Sequence, residues 1–352
     1  MNPESEKRTE NQTAPSSRQT IHAAFLAKAG CGFVDRIYDE PRRARIARSA
    51  ELCPVVLTPD NIAQHRQEAA QTEVLFTCWG FPFDLVTPEH FPALRAIFYS
   101  GGSVKGFARP LLERGIQVVG GRSANGIAVA QFCLGQIILS CKGFFRNTRE
   151  CRDAGTRKAG CFAGPGMYGE KIALLGLGAV ARELLPMVLR CDLKVLAVDP
   201  YLTAAEAGKL GVEATTMEQA FAMAYIVSNH LPNLPGLKGV LNRPLFASMR
   251  QNATFINTGR GAQVNEDDLI DVLRQRPDLT ALLDVTDPEP PRLDSPLLSM
   301  PNVQLSSHIA GAINDEVLRQ GDFVIGEFKR YAAGLPLQHA DTLEMLDRLA
   351  AA

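Results

Sequence analysis

Three side chains suited to proton transfer and charge stabilisation, Arg260, Glu289 and His308, each follow a segment predicted as a strand. In an open parallel sheet the ligand lies beyond the carboxyl ends of the strands, so we expect all three on one rim. A histidine, whose ordinary pKa is about 6.5, can donate a proton near neutral pH, and a bonded carboxylate favours its protonated ring. An arginine can polarise a carbonyl and hold a neighbouring carboxylate. Together they indicate hydride transfer at a carbonyl, although each residue alone is more often structural.

A glycine turn upstream predicts a binding site for the dinucleotide that such hydride transfer needs. The apolar run Lys171–Leu175 leads into Gly-Leu-Gly-Ala-Val-Ala at 176–181, which fits the dinucleotide fingerprint G-x-G-x-x-G/A. Gly176 permits a tight turn, and Gly178 permits close approach of a pyrophosphate to the start of the next helix. The motif alone is weak evidence, but a helical pattern and a second strand follow it.

Asp199 ends that second strand at the spacing expected of an acid that binds a ribose. The alternative is a turn residue before Pro200. No arginine follows Asp199 directly, so a 2′-phosphate would meet a carboxylate, which favours NAD over NADP. His230 also follows a predicted strand, and contact with the cofactor and packing in a turn are equally good interpretations of it.

From about Ile21 to Arg122 the sequence alternates short strands with helices, which predicts a small parallel α/β domain. The predicted strands cover 54–57, 74–77, 96–99 and 117–119. Two loops after these strands could face a ligand. The Gly101-Gly102-Ser103 loop could present backbone N–H groups to an anion or could be a simple turn. Trp79 could form a wall of the substrate pocket or belong to the core.

An apolar helix is predicted from Gly126 to Arg149. Because most of its surface is apolar, we expect it to lie between domains or between subunits. Cys133 and Cys141 share one face of it and are predicted to be core residues rather than reactive thiols.

Composition limits the class of protein. The length of 352 residues favours two domains, and a net charge of −1 gives no support to binding of nucleic acid or an anionic membrane surface. The eight cysteines contain no C-x-x-C pair, which argues against a metal site, and without an export signal we expect reduced thiols in the cytoplasm. Residues 1–20 predict a disordered tail. The longest apolar stretches, including 127–141, are predicted to be too short or too polar to span a bilayer.

Several motifs resemble successive signatures of the D-isomer-specific 2-hydroxyacid dehydrogenase family. They are His230-Leu231-Pro232, 256–261 (INTGRG), Leu283-Asp284-Val285 with Pro288-Glu289-Pro290, 295–298 (SPLL), Pro301-Asn302-Val303 and His308-Ile309-Ala310-Gly311. The resemblance runs from about Val55 to Leu337, and it implies a homodimer formed through the predicted helix 126–149.

This resemblance implies an α/β fold with two doubly wound parallel-sheet domains. A Rossmann NAD-binding domain, 123–308, would be inserted into a discontinuous flavodoxin-like substrate-binding domain, 21–122 and 309–352. It also implies an NAD-dependent enzyme acting on a small 2-hydroxy or 2-oxo acid, with Arg260 orienting substrate, Glu289 as carboxylate partner and His308 as acid/base. Residues expected at the cofactor are Gly176, Gly178, Ala179, Val180, Asp199, His230, Pro232, Thr258, Gly259 and Asp284. Residues expected at the substrate are Gly101, Gly102, Ser103 and Trp79.

Four positions depart from common family residues: Val104, Gln131, Gly259 and Ser307. A rival hypothesis is a non-enzymatic, NAD-sensing regulator on the same fold. A phosphorylated substrate would require further cations on the first domain, for which Arg42, Arg43 and Lys105 are candidates. The resemblance also disfavours a formate dehydrogenase, because those enzymes carry Gln near the position that Glu289 occupies here.

Overall fold

The computed structural model describes residues 20–30 and 32–351, so that Cys31 and all of the predicted tail except Thr20 lie outside the described residues. The strands, in chain order, are β1 (His22–Leu26), β2 (Glu51–Leu57), β3 (Val74–Thr77), β4 (Ala96–Tyr99), β5 (Gln117–Gly120), β6 (Lys171–Leu175), β7 (Lys194–Val198), β8 (Glu213–Ala214), β9 (Ile226–Asn229), β10 (Thr254–Asn257), β11 (Thr280–Leu283), β12 (Val303–Leu305) and β13 (Ala340–Asp341).

The helices alternate with these strands. In chain order they are α1 (Phe33–Ile37), α2 (Glu40–Ala47), α3 (Arg66–Gln71), α4 (Ala108–Glu113), α5 (Arg122–Cys141), α6 (Phe144–Glu150), α7 (Ala154–Ala159), α8 (Ala179–Leu189), α9 (Ala204–Leu210), α10 (Met217–Met223), α11 (Arg243–Ser248), α12 (Glu266–Gln275), α13 (Val317–Ala332) and α14 (Leu343–Ala351).

The strands form two sheets. The first has the order β13-β5-β4-β3-β1-β2, in which the five N-terminal strands are parallel in the flavodoxin-like order and β13 is antiparallel to β5. The second, β12-β11-β10-β9-β6-β7-β8, is parallel throughout and contains the Rossmann order. Apolar side chains cover both faces of each sheet. The predicted fold class is confirmed, whereas the exact domain limits stay a prediction.

The second sheet explains why the candidate residues converge. Strands β12, β11, β10, β9 and β6 are neighbours in that order, so their carboxyl ends lie along one edge. Most of these strands are buried on both faces, as their short apolar runs indicate. The residues that follow them are therefore brought to one rim although they are far apart in the chain.

The single helix predicted over 126–149 is wrong. The helix α5 begins four residues earlier, at Arg122, and ends at Cys141. Gly143 then takes a left-handed conformation with φ 74°, which breaks the helical path before α6 begins. The predicted dimerisation through 126–149 stays a prediction, now divided over two helices.

Among the described residues, one helix, α5, is long and apolar enough to cross a membrane by length and composition. The helix is longer than the apolar stretch 127–141, because it extends back to Arg122 and reaches 20 residues. Half of the apolar stretch of α5 is buried inside the protein, and the helix packs chiefly against α8. Cys133 and Cys141 are fully buried, which confirms them as core residues, and burial raises their pKa values to about 11 and about 12.

The C-terminal segment closes on the first sheet. The carboxylate of Asp341 is buried, accepts a hydrogen bond from the Gly120 N–H at 2.9 Å and pairs with Arg122. Gly120 ends β5, and Arg122 begins α5. The end of the chain is thus attached to the point where the chain passes from the first sheet into the helix beside the second.

Candidate active site

The predicted acid–base pair is assembled in the structure. His308 follows β12, Glu289 lies in the loop after β11, and His308 Nδ1 is 2.5 Å from Glu289 Oε1. Their side chains are 49% and 39% exposed, so a ligand can reach both. With Nδ1 bonded to the carboxylate, Nε2 is the ring nitrogen left to exchange a proton with a substrate.

Asp284 holds the segment that carries His308. His308 has φ +58°, a left-handed conformation that is uncommon for a residue with a Cβ. The Asp284 carboxylate is buried and accepts hydrogen bonds from the Ser306 hydroxyl at 2.6 Å and from the N–H groups of Ile309 and Ala310, both at 2.9 Å. The backbone carbonyl of Asp284 accepts from the His308 N–H at 3.1 Å. Contacts on both sides of His308 therefore stabilise its unusual backbone.

Arg260 follows β10 and is exposed. Its Nη1 donates to the Gly259 carbonyl at 2.7 Å, and among the described residues it forms no ion pair. The neighbouring Gly261 lies so close to Thr286 that an added Cβ would be 2.0 Å from the Thr286 carbonyl carbon. Only glycine allows this approach of the Arg260 loop to the loop that carries Glu289. The cation is thus free to bind an external anion at the same rim.

The glycine turn has the shape that a dinucleotide requires. Gly176 has φ +84°, and a Cβ there would lie 3.0 Å from the His230 carbonyl oxygen. Gly178 is the N-cap of α8 with no capping side chain, and a Cβ there would meet open space. The first N–H groups of α8, from Ala179 and Val180 onward, are therefore available to a phosphate. The residues present fit NAD.

Asp199 is positioned beside that turn. Its Oδ2 accepts from the Leu177 N–H at 2.8 Å, and its Oδ1 accepts from the Tyr201 N–H at 2.9 Å. Each carboxylate oxygen has a second lone pair, so hydroxyl groups of a ribose can still bind. Both earlier interpretations of Asp199 are thus compatible with its contacts, since it holds a turn and faces the glycine loop.

His230 follows β9 with Nε2 2.9 Å from the Ser228 hydroxyl. Its Nδ1 is buried and has no hydrogen-bond partner among the described residues. Burial lowers the pKa of His230 to about 4, so the ring is neutral at pH 7. His230 is consequently unsuited to the acid role assigned to His308.

Acidification is expected to destabilise the protein through His230. The folded pKa of about 4 lies below the ordinary 6.5, so the unfolded chain binds the extra proton first. Stability is therefore lost as pH falls through 6.5, and the loss reaches about 3 kcal/mol near pH 4. Urea unfolding of the wild type and of His230→Asn at pH 7 and 4.5 would measure it. An identical pH dependence in both proteins would refute the assignment.

Three buried amides at this rim were missed by the sequence analysis. Asn229 and Asn257 are the last residues of β9 and β10 and are paired in register, and Gln263 ends the short 3₁₀ turn Gly261–Gln263. Gln263 Nε2 donates to the Pro232 carbonyl at 2.7 Å. The available signal was an asparagine at or next to the end of each of two apolar runs, 225–229 and 253–258. Thr258, next to Asn257, has its hydroxyl 3.3 Å from Cys133 Sγ.

The predicted substrate loop follows β4. Gly101 is buried, Gly102 is partly exposed and Ser103 is exposed. The Asn125 side chain links this region to the segment after His308, because its Nδ2 lies near Gly102 and its Oδ1 accepts from the Ala312 N–H at 3.0 Å. The loop and the acid–base segment are therefore neighbours.

Two residues around this loop have apolar roles. Val104, one of the departures from the common family residues, is buried in the core of the first sheet. Trp79 packs partly against the other core of that sheet and forms an edge-on ring contact with Phe33 at 5.9 Å. Because Phe33 is 47% exposed, this aromatic pair extends from the core to the surface at the strand ends.

The three cations considered for a phosphorylated substrate are engaged elsewhere. Arg42 pairs with Asp39 and Asp322 at 3.0 and 2.6 Å, and its side chain is only 14% exposed. Arg43 pairs with Asp35 at 2.6 Å. Lys105 Nζ donates to the Asn233 carbonyl at 3.2 Å.

Within residues 20–30 and 32–351, no group of three or more His, Cys, Asp or Glu side chains is arranged to hold a metal ion. The seven cysteines in that part of the chain are free thiols.

Comparison with known proteins shows which family this chain resembles. Residues 134–310, half of the chain, match the family model described as the D-isomer specific 2-hydroxyacid dehydrogenase, NAD binding domain. D-3-phosphoglycerate dehydrogenase of Archaeoglobus fulgidus is 26% identical over 67% of this chain and 44% of its own length. D-3-phosphoglycerate dehydrogenase 2 of Arabidopsis thaliana is 27% identical over 75% of this chain and 42% of its own. The chain thus aligns with less than half the length of these two relatives.

Solved structures share the fold. D-mandelate dehydrogenase of Rhodotorula graminis, in its apo form, has a TM-score of 0.74 at 20% identity, covering 92% of this chain and 98% of its own. A phosphoglycerate oxidoreductase from Rhizobium etli has a TM-score of 0.72 at 22% identity, covering 91% and 97%. The family model, the paired sheets and the arrangement of the rim agree. The chain belongs to the D-isomer specific 2-hydroxyacid dehydrogenase family and carries its NAD-binding domain.

Proposed function

We propose that this protein is an NAD-dependent oxidoreductase that interconverts a D-2-hydroxy acid and its 2-oxo acid. The observation that carries the proposal is the 2.5 Å pair of His308 and Glu289, accessible to ligand on the rim that also carries Arg260. A proton donor oriented by a carboxylate and an unpaired cation are what reduction of a carbonyl beside a carboxylate requires.

The cofactor would be held along the carboxyl ends of β6, β9, β10 and β11. When bound, NADH supplies the hydride that adds to C2 of the substrate. The start of α8 would bind the pyrophosphate and Asp199 the ribose. Residues proposed to line the rest of the cofactor site are Gly176, Gly178, Ala179, Val180, His230, Pro232, Thr258, Gly259 and Asp284.

The chain's own groups would handle the proton and the charge. Protonated His308 donates from Nε2 to the substrate oxygen, and Glu289 holds the ring and stabilises its charge. Arg260 holds the substrate carboxylate and polarises the C2 oxygen. In the oxidation direction His308 accepts the hydroxyl proton.

The substrate would sit between this rim and the first sheet. Gly101, Gly102 and Ser103 are proposed to bind its carboxylate through backbone N–H groups, and Trp79 to border its side group. Since Arg42 and Arg43 are held in ion pairs, the structure favours a substrate with an uncharged side group over a phosphorylated one.

A panel of 2-oxo acids tests the proposal. Oxidation of NADH and NADPH would be followed with glyoxylate, pyruvate, 4-methyl-2-oxopentanoate, phenylpyruvate and 3-phosphohydroxypyruvate. We expect turnover with NADH, with higher kcat/KM for the unphosphorylated acids. NADH binding without turnover of any acid would instead favour the NAD-sensing regulator.

Replacing Asp199 with Ala is expected to weaken NADH by about tenfold, the equivalent of one charge-assisted hydrogen bond. NADPH should lose less, because removal of the carboxylate also removes its repulsion of a 2′-phosphate. Fluorescence titration of both nucleotides would measure the two dissociation constants, with the exposed Asp60→Ala as control. Equal losses would mean that Asp199 only holds the turn at Leu177 and Tyr201.

A further inference from the structure

The buried amides at the ends of β9 and β10 form one hydrogen-bond network. Three residues form it, each of them at most 1% exposed: Asn229, Asn257 and Gln263. Asn229 Nδ2 donates to Asn257 Oδ1 at 3.0 Å and to Gln263 Oε1 at 2.7 Å. Gln263 Nε2 donates to the carbonyls of Leu231 and Pro232 at 2.9 and 2.7 Å. The network therefore joins the loop after β9 to the loop after β10.

The same amides fix the backbone around Arg260. The Arg260 N–H donates to Gln263 Oε1 at 3.2 Å, and the Gly259 N–H donates to Asn257 Oδ1 at 3.1 Å. The Arg260 carbonyl accepts from Asn257 Nδ2 at 3.4 Å. The Arg260 guanidinium in turn donates to the Gly259 carbonyl. Movement at residue 259 would thus pass directly to the cation.

Gly259 has no room for a side chain because the amides fill the space. A Cβ there would lie 2.8 Å from both Asn229 Nδ2 and Gln263 Oε1. Both amides are buried and hydrogen-bonded, so neither can turn away without leaving polar groups unpaired. This explains why the chain has glycine where alanine is common in the family: the two amides occupy the space that an alanine methyl group would need.

We propose that Asn229 and Gln263 are positioning residues that hold Arg260 in place for a carboxylate ligand, and that Gly259 is glycine to admit them. The inference rests on the proposed function, which makes Arg260 the substrate cation. The amides contact neither reacting group and act only through the backbone at 259 and 260. A ligand held by Arg260 should therefore report on their removal.

A double-mutant cycle tests the proposal. Oxalate, which resembles the carboxylate and C2 oxygen of a 2-oxo acid, would be titrated into NADH-saturated protein. Gly259→Ala in the wild-type background should weaken oxalate by about tenfold or more, because small displacements of a positioning group are costly. In the Asn229→Ala/Gln263→Ala background, where the volume is empty, the same change should cost less than about threefold.

Controls separate this from a general loss of stability. Gly326→Ala, on an exposed position of α13 where a Cβ meets open space, should change neither oxalate affinity nor NADH affinity. Because Gly259 is also proposed to line the cofactor site, NADH would be kept saturating for every cycle variant, so that oxalate affinity is compared on cofactor-bound protein. Equal losses in both backgrounds, or a lowered Tm with unchanged oxalate affinity, would overturn the proposal, as would a wild type that does not bind oxalate.

Turnover gives a separate result. If the wild type reduces no 2-oxo acid while the oxalate cycle shows coupling, the proposed enzyme function fails and the positioning role stands. If the wild type reduces a 2-oxo acid but Gly259→Ala weakens oxalate equally in both backgrounds, the function stands and the positioning role fails.

Discussion

Replacement of His308 with Gln is expected to lower kcat for 2-oxo acid reduction by about 10²-fold or more, the usual cost of losing a general acid. Gln can accept or donate a hydrogen bond but cannot deliver a proton at neutral pH. Because His308 is proposed to act on the substrate and not to bind the nucleotide, the dissociation constant of NADH should remain within about twofold of the wild type. Steady-state kinetics and nucleotide titration would measure the two quantities.

A matched control exists for this substitution. His65 and Glu68 form a similar pair at 3.3 Å on the first sheet's side of the protein, where no catalytic role is proposed. His65→Gln should leave kcat unchanged. Undiminished turnover in His308→Gln would remove His308 from the mechanism, whatever the effect of the control.

Replacement of Arg260 with Ala is expected to reduce kcat/KM by about 10²–10³-fold, in the range found for removal of one oxyanion-stabilising donor. Both KM and kcat should be affected, since in the proposed mechanism the guanidinium holds the carboxylate in the ground state and polarises the oxygen in the transition state. The kcat/KM of Arg260→Lys should lie between those of the wild type and Arg260→Ala, because an ammonium group keeps the charge but cannot form the bidentate contact of a guanidinium.

The control for Arg260 is Arg292→Ala, which removes a 70% exposed arginine from the loop beyond Glu289. It should leave the kinetics intact. Normal kinetics with a lowered Tm in Arg260→Ala would show that Arg260 is structural.

The acid–base pair and the rim could be predicted because they depend on strand ends. Parallel strands buried on both faces appear as short apolar runs, so the limits of β3, β4 and β6 were predicted to the residue. The residues after such runs lie at one edge once the strand order is known. The contact of His308 with Glu289 followed from this reasoning, supported by the family resemblance.

Other features depend on partners that the local sequence does not show. Strand β1 is rich in alanine and gave no clear strand signal, and it is stabilised by the parallel neighbours β2 and β3. The break at Gly143 was hidden by the apolar residues on both sides. The amide network required the register of β9 on β10, because two asparagines in a sequence do not reveal that their side chains will meet.

The short strand β13 has a consequence for handling the protein. It covers β5, whose Val118 and Val119 are fully buried, and thereby caps one open edge of the first sheet. An uncapped edge presents unpaired N–H and C=O groups that can recruit strands from other molecules. A version of the chain that ends directly before Ala340 should therefore aggregate more readily, even though every residue proposed for catalysis would still be present.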